Sequence, residues 1–303
     1  MSSSLLRNAA ALICLLSVVA CATIQVDLPS VTDVPTNERL PGKIVWRDLL
    51  THDVEGSKNF YGSLFGWEFE AVGSASGLGS DSAYTLIRHN GLLIGGMIDT
   101  VALNGRDDIS QWIVVMSVDD VGEAADSFAA SGGEVITPPT DLRRRGRLSV
   151  VRDAEGALLG LLQTKDGDPI DKEPVVDGFL WDELWTSDVD RATEFYTGVT
   201  GLQVDQRHVE RDQGEDVTYR LLMSGEAPRV GILPNPLPDL GPVWVSYLRV
   251  ESPTDIAMKV GALGGRVIVE PQARSIGGEV AFVAGPSGAG IALQTWPLEQ
   301  EDE

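Results

Sequence analysis

Apolar positions along this chain change their period in a repeating order. "KIVWRDLLT", residues 43–51, is a short, largely apolar and strand-like run. In "DVEGSKNFYGSLFG", Val54, Ser57, Phe60, Tyr61 and Leu64 fall at helical spacing, Asp53 stands where an N-cap belongs, and Gly66 can end the helix. Strand-like runs follow at "WEFEAVG", "AYTLIRHN" and "LLIGGMI", and the order then recurs. "WIVVMSV" reads as a strand, "DDVGEAADSFAASG" as a helix ending at Gly132 and Gly133, and "EVITPP", "RLSVVRD" and "ALLGLLQT" as three more strands. The pattern predicts two βαβββ modules and a mixed α+β fold with helices on one sheet face.

The whole arrangement is then spelled a second time. A displacement of 135 positions lays Trp46 on Trp181, Asp53 on Asp188, Phe60 on Phe195, Tyr61 on Tyr196 and Gly66 on Gly201. Further on, "WIVVMSVDDVGEAADSFAASGGEVITPP" lies against "WVSYLRVESPTDIAMKVGALGGRVIVEP", and "GALLGLLQT" against "GAGIALQT". Two homologous domains are expected, roughly 42–166 and 175–298, joined by the charged, proline-bearing "KDGDPIDKEP".

The pattern TxDVxxxxxFYxxxxG after an opening strand, two βαβββ modules per domain, and the closing "DAEGA" resemble the vicinal oxygen chelate superfamily of glyoxalase I, bleomycin-resistance proteins and extradiol dioxygenases. The resemblance implies that each domain is an eight-stranded cup whose concave face holds the ligand. In the metal-dependent members, His, Glu or Gln side chains from several strands converge on one ion. The position of the first such ligand is held here by Trp46 and Trp181, and an indole N–H has no lone pair to give. The second position falls on Ile113 and Val245, or on Trp112 and Trp244 one residue earlier. The last falls on Gly160 and Ala292. His52, His89 and His208 match none of these positions and are expected to be exposed or hydrogen-bonded at the surface. The expectation is therefore a protein with neither metal nor other cofactor.

Alternation sends Trp46, Asp48 and Leu50 to one face, and Trp181, Glu183 and Trp185 to the matching face of the second copy. If these faces are concave, as the resemblance implies, each cup offers an indole beside a carboxylate, a combination suited to a flat or cationic organic molecule. Tyr247 and Arg249, alternating on a later strand, are expected to add a hydroxyl and a cation to the second cup. The competing reading makes the tryptophans core filler and leaves the acids in solvent.

Charge and the chain's first segment narrow the partners. Net charge is −22, from 23 basic and 45 acidic residues, which argues against nucleic acid. Arg7 precedes the apolar run "AALICLLSVV", so residues 1–20 are expected to be an export signal. The following "VVAC" resembles a lipoprotein lipobox, which implies acylation of Cys21, a membrane anchor and the bacterial envelope. If there are two membranes, Ala22 favours the outer one; an ordinary secreted protein is the alternative. With only Cys14 and Cys21 in the chain, cysteine catalysis is excluded. Residues 21–41, with three prolines, are expected to be a tether, and the tandem cups are compatible with a monomer. "DLRRRGRL" (Arg143, Arg144, Arg145, Arg147) reads either as an anion site or as a solvated hairpin tip. Three functions remain open: a small-molecule binder, a metal-dependent glyoxalase- or dioxygenase-like enzyme, and an envelope scaffold.

Overall fold

A computed structural model describes residues 27–72, 84–104, 110–210, 216–274 and 277–296; the expected signal and Cys21 lie outside them. The first domain runs β1 (Ile44–Thr51), α1 (Val54–Phe65), β2 (Glu68–Ala71), β3 (Tyr84–His89), β4 (Leu92–Asp99), α2 (Thr100–Asn104), β5 (Gln111–Ser117), α3 (Val121–Ala130), β6 (Glu134–Asp141), β7 (Gly146–Arg152) and β8 (Leu158–Thr164). The second runs β9 (Phe179–Thr186), α4 (Val189–Thr200), β10 (Gln203–Glu210), β11 (Asp216–Ser224), β12 (Ala227–Pro234), β13 (Val243–Arg249), α5 (Pro253–Val260), β14 (Arg266–Ala273), β15 (Glu279–Ala284) and β16 (Gly290–Gln294). The expected α+β fold is present: two eight-stranded sheets, in the orders β2-β3-β4-β1-β5-β8-β7-β6 and β10-β11-β12-β9-β13-β16-β15-β14.

Local chemistry sets the helix ends. Asp53 accepts from the Gly56 N–H at 2.9 Å, and Gly66 closes α1 with φ at 66°, a left-handed turn that glycine adopts without strain. Asp188 and Gly201 do the same for α4. The short α2 lacked an apolar period to announce it; Asp99 caps it by accepting from Val101 and Ala102 N–H groups, each at 2.9 Å.

Each sheet bears helices on one face only, and those faces meet. One shared core joins Val114, Met116, Phe128, Leu159 and Leu161 of the first domain to Leu184, Phe195, Tyr196, Leu222 and Trp244 of the second. The other joins Phe60, Tyr61, Trp67 and Trp112 to Leu248, Ile256, Val260 and Leu293. Helices therefore pair across the domains, α1 with α5 and α3 with α4. Buried hydroxyls order these cores: Trp112 Nε1 donates to the Tyr61 hydroxyl at 3.0 Å within the first domain, Trp244 Nε1 to that of Tyr196 at 3.1 Å within the second, and Tyr196 donates across to Asp153 Oδ2 at 2.9 Å.

Between the two cores lies an ion pair at equivalent repeat positions. Arg47 on β1 grips both carboxylate oxygens of Asp182 on β9, with Nε to Oδ1 at 3.1 Å. Ser246 Oγ donates to Asp182 Oδ1 at 2.6 Å, and the guanidinium sits 4.4 Å from the Phe179 ring centroid.

In its described part, residues 27–41, the segment expected to be a tether lies against the first domain. A tether leaves its side chains in water, whereas Leu28 and Val31 are buried against the first domain. They have an apolar surface to cover, and prolines lower the entropy lost on ordering. Behind them a clamp holds the chain to the linker. Thr36 and Asn37 N–H groups donate to the Asp166 carbonyl, Asp168 N–H donates to the Glu38 carbonyl, and Leu40 N–H donates to Asp168 Oδ2 at 2.6 Å. Buried Asp168 also accepts from Ser117 and Thr164 hydroxyls.

Replacing Asp182 by Ala strands the Arg47 charge between the cores, so urea unfolding should show a loss of about 3 to 5 kcal/mol. The Arg47→Met, Asp182→Leu pair should lose far less, because neither charge then remains to be desolvated.

Candidate functional site

Strand register settles which side chains enter the cups. On β5, Ile113 and Val115 pair with Asp48 and Trp46, so they share the concave face, while Trp112 and Val114 belong to the inter-domain cores. In the second sheet, Val243, Val245 and Tyr247 pair with Trp185, Glu183 and Trp181.

The floor of the first cup is a closed polar network. Trp46 Nε1 donates to Asp48 Oδ1 and lies equally close to the Tyr84 hydroxyl, both at 3.0 Å. Tyr84 donates to Asp48 Oδ1 at 2.7 Å. Arg145, from the β6–β7 turn, donates through Nη1 to the Tyr84 hydroxyl at 2.7 Å, with its guanidinium 4.2 Å from the Trp46 ring centroid. Gly96 on β4 makes the room: a Cβ there would collide with the Tyr84 hydroxyl and Asp48 Oδ1.

The second cup repeats the design with a longer acid. Trp181 Nε1 donates to the Tyr219 hydroxyl at 2.9 Å, and Tyr219 donates to Glu183 Oε1 at 2.8 Å. Trp185 Nε1 reaches Glu183 Oε2 at 3.4 Å, and Tyr247 also hydrogen-bonds Glu183. A Cβ on Gly231 would strike the Tyr219 hydroxyl, as at Gly96. Around this floor stand Val245, Phe282 and Ala292.

The two cups differ in cover. Trp46, Tyr84 and Leu86 are buried, at 1%, 3% and 5% exposure, whereas their counterparts Trp181, Tyr219 and Leu221 are partly exposed. In the first cup, Leu28 and Val31 join the cluster of Trp46, Tyr84, Val115, Leu142 and Leu162. Asp27 pairs with Arg144 at 3.0 Å on one side and Asp33 with Arg88 at 3.5 Å on the other, so the segment spans the cup.

Burial sets the proton affinities. Desolvation raises the Asp48 pKa, against the opposing pull of Arg145 and the hydrogen bonds from Tyr84 and Trp46. The Tyr219 and Tyr247 hydroxyls are pushed well above their ordinary value, first by burial and then by the Glu183 charge, so both remain donors.

Of the expected site residues, Trp46, Asp48, Trp181, Glu183, Trp185 and Tyr247 come together in the cups. Arg249 does not: β13 keeps its alternation, with Tyr247, Leu248 and Arg249 opposite Ala292, Leu293 and Gln294, but Arg249 lies at the strand's end and its Nη1 donates to the Pro174 carbonyl at 2.5 Å. Within the arginine run, Arg144 conforms to the solvated, acid-paired picture, but Arg145 is 3% exposed and belongs to the cup. His52 is exposed, His89 is buried with Nε2 2.9 Å from the Val176 carbonyl oxygen, and the His208 side chain lies outside the described residues. Tyr84 and Tyr219, missed in the sequence, recur at the repeat spacing and could have been found there; no local signal marked Arg145.

A family model for the Glyoxalase/Bleomycin resistance protein/Dioxygenase superfamily matches residues 43–161 and 178–293. The chain belongs to this superfamily. It is 32% identical over 246 residues to "Putative glyoxylase CFP32" of Mycobacterium bovis, covering 80% of this chain and 91% of that protein. It is 29% identical over 271 residues to anthracycline biosynthesis protein DnrV of Streptomyces peucetius, covering 84% and 93%. Among solved structures, the Mn(II)-bound glyoxalase from Novosphingobium aromaticivorans superposes with a TM-score of 0.56 at 18% identity, over 86% of this chain and 84% of that one. A catechol 2,3-dioxygenase gives 0.55 at 13%, over 88% and 91%. Both likenesses concern the fold.

The superfamily's divalent ion can be tested against the residues present. At the corresponding positions stand Trp46, Ile113 and Gly160 in one cup and Trp181, Val245 and Ala292 in the other, none of which offers a donor atom. Among the described residues, no group of three or more His, Cys, Asp or Glu side chains is placed to hold an ion. These side chains do not fit a divalent metal.

A carboxyl whose pKa rises on folding gives stability that is full below its unfolded value and is lost as pH climbs through the folded value. Asp48→Asn removes that loss, so the variant should gain on the parent protein as pH rises from about 4 toward 7, the unfolded carboxyl titrating near 3.9. Urea midpoints measured across that range check the slope.

Proposed function

We propose that this protein is an envelope lipoprotein, anchored through an acylated Cys21, whose second cup binds a small organic molecule without a metal ion. The observation that carries the reading is the uneven cover of two matching floors: Trp181 and Tyr219 are partly exposed where Trp46 and Tyr84 are sealed. Beneath them, Glu183 uses three of the roughly four acceptor sites of a carboxylate on Tyr219, Tyr247 and Trp185. One site remains for a ligand N–H. An amine on a flat or apolar body satisfies it, while the Trp181 face adds cation–π attraction of about 0.5 to 2 kcal/mol. Arg274 is turned to Gln294 at 2.7 Å and holds no hydrogen bond to Glu183, which favours a cation over an acid. The names of the anthracycline biosynthesis relatives favour an organic molecule as what such a cup handles. The "VVAC" pattern supports the anchor, and the acidic charge supports a protein that works apart from nucleic acid.

Calorimetric titration of the purified protein with benzylammonium, benzyl alcohol and benzoate tests this. Benzylammonium should bind to the second cup, and Glu183→Gln should weaken it about tenfold, or about 1.4 kcal/mol. Elemental analysis that found stoichiometric zinc, nickel, manganese or iron would overturn the reading in favour of a metal-dependent enzyme of the kind the glyoxylase relatives' names suggest.

A further inference from the structure

The first cup has an occupant from its own chain, and the fit is incomplete in one informative place. Nε and Nη2 of an arginine lie on the same edge of the guanidinium plane and match the two oxygens of a carboxylate. In Arg145, Nε donates to the Pro29 carbonyl at 3.0 Å, and Nη2 is buried without a partner. One carbonyl oxygen thus sits where two oxygens would fit, and an unmade hydrogen bond on a buried charged donor is costly. Nη1 is spent on Tyr84, and Asp48 is reached only through that hydroxyl, so the guanidinium has no direct counter-ion among the described residues. Around the open edge stand the Trp46 ring, Leu142 and Leu162, with Leu28 and Val31 completing the apolar wall.

Among the described residues nothing comparable covers the second cup, where the hairpin arginine Arg274 is engaged with Gln294. Nor is the covering segment rigidly built in. Residues 27–33 are held by two apolar side chains, the Pro29 carbonyl and two ion pairs that each have one exposed member, Arg144 and Asp33, while the clamp begins only at Thr36. These contacts of the plug are separate from those of the clamp.

We infer that residues 27–33 are a built-in competitor occupying a second ligand site, in the first cup, for a small organic acid whose carboxylate takes both N–H groups on the Nε/Nη2 edge of Arg145. The site does not depend on the amine site proposed for the second cup, since the two lie on separate sheets and favour ligands of opposite charge. Acid and plug exclude each other, so the acid's apparent affinity is reduced by the fraction of time the plug is closed.

Calorimetry of the full chain with benzoate tests this. The paired substitution Leu28→Ser, Val31→Ser loosens the plug and should tighten benzoate about tenfold, as expected where the cup is closed about nine-tenths of the time. Adding Arg145→Lys, which keeps the charge and loses the fork, should abolish the gain. An affinity unchanged by the paired substitution, or a gain that survives Arg145→Lys, overturns the inference. Hydrogen exchange on the unsubstituted protein needs no variant to fold: saturating benzoate should speed exchange of the amides in 28–33, and unchanged exchange there overturns the inference. Glu183→Gln should leave both benzoate results intact while weakening benzylammonium, so the two sites fail separately.

Discussion

A sheet that carries helices on one face only has to bury that face against something, and here each domain's partner is the other domain. The consequence runs through the whole molecule. Because the helix-bearing faces are turned inward, the concave faces are turned outward, and each cup is exposed to solvent unless a loop or terminus covers it. The same inward packing places the two opening strands back to back, where Arg47 and Asp182 meet at one repeat position with opposite charges. Two identical copies could not make this pair. It is a divergence that fits the two halves to each other, and it fixes their register across an otherwise apolar contact.

Much of this was legible in the residues because the information was local and repeated. Asp53 with Gly66, and Asp188 with Gly201, state where helices begin and end by hydrogen bonding and backbone conformation alone. The alternation of β1 and β9 places an indole and a carboxylate in each cup for the same reason. What could not be read depended on contacts distant in the chain. Arg145 looks like one of a run of solvated arginines until the hairpin folds over Trp46. Arg249 keeps the alternation of β13, but it stands at the strand's end, where the linker's Pro174 carbonyl takes its donor. Leu28 and Val31 carry no periodicity and gain meaning only from the cup they cover.

The two cups illustrate how a duplicated floor can diverge by what is laid over it. The hydrogen-bonding plan of indole, tyrosine hydroxyl and carboxylate is kept, with a glycine on the neighbouring strand of each sheet leaving space for it. The acid is shorter in the sealed cup and longer in the open one, and among the described residues a buried cation, Arg145, accompanies the former. Such a carboxylate–aromatic floor asks for partners with N–H or O–H groups, and side chains supply most of them. The first donor position of the family's ion-binding members is held in each cup by that plan's indole, Trp46 or Trp181.

The clamp on residues 36–40 also sets a length. Upstream of it, the chain lies folded across the first cup; downstream, it is stitched to the linker through Asp166 and Asp168. Peeling residues 27–35 away would release about 30 Å of contour at roughly 3.3 to 3.6 Å per residue, while β1 and the linker stay seated. If the plug lifts as inferred, the chain upstream of the clamp has two lengths, a short one with the first cup covered and a long one with it bare. On that inference, baring the first cup and lengthening the chain upstream of the clamp are one and the same movement.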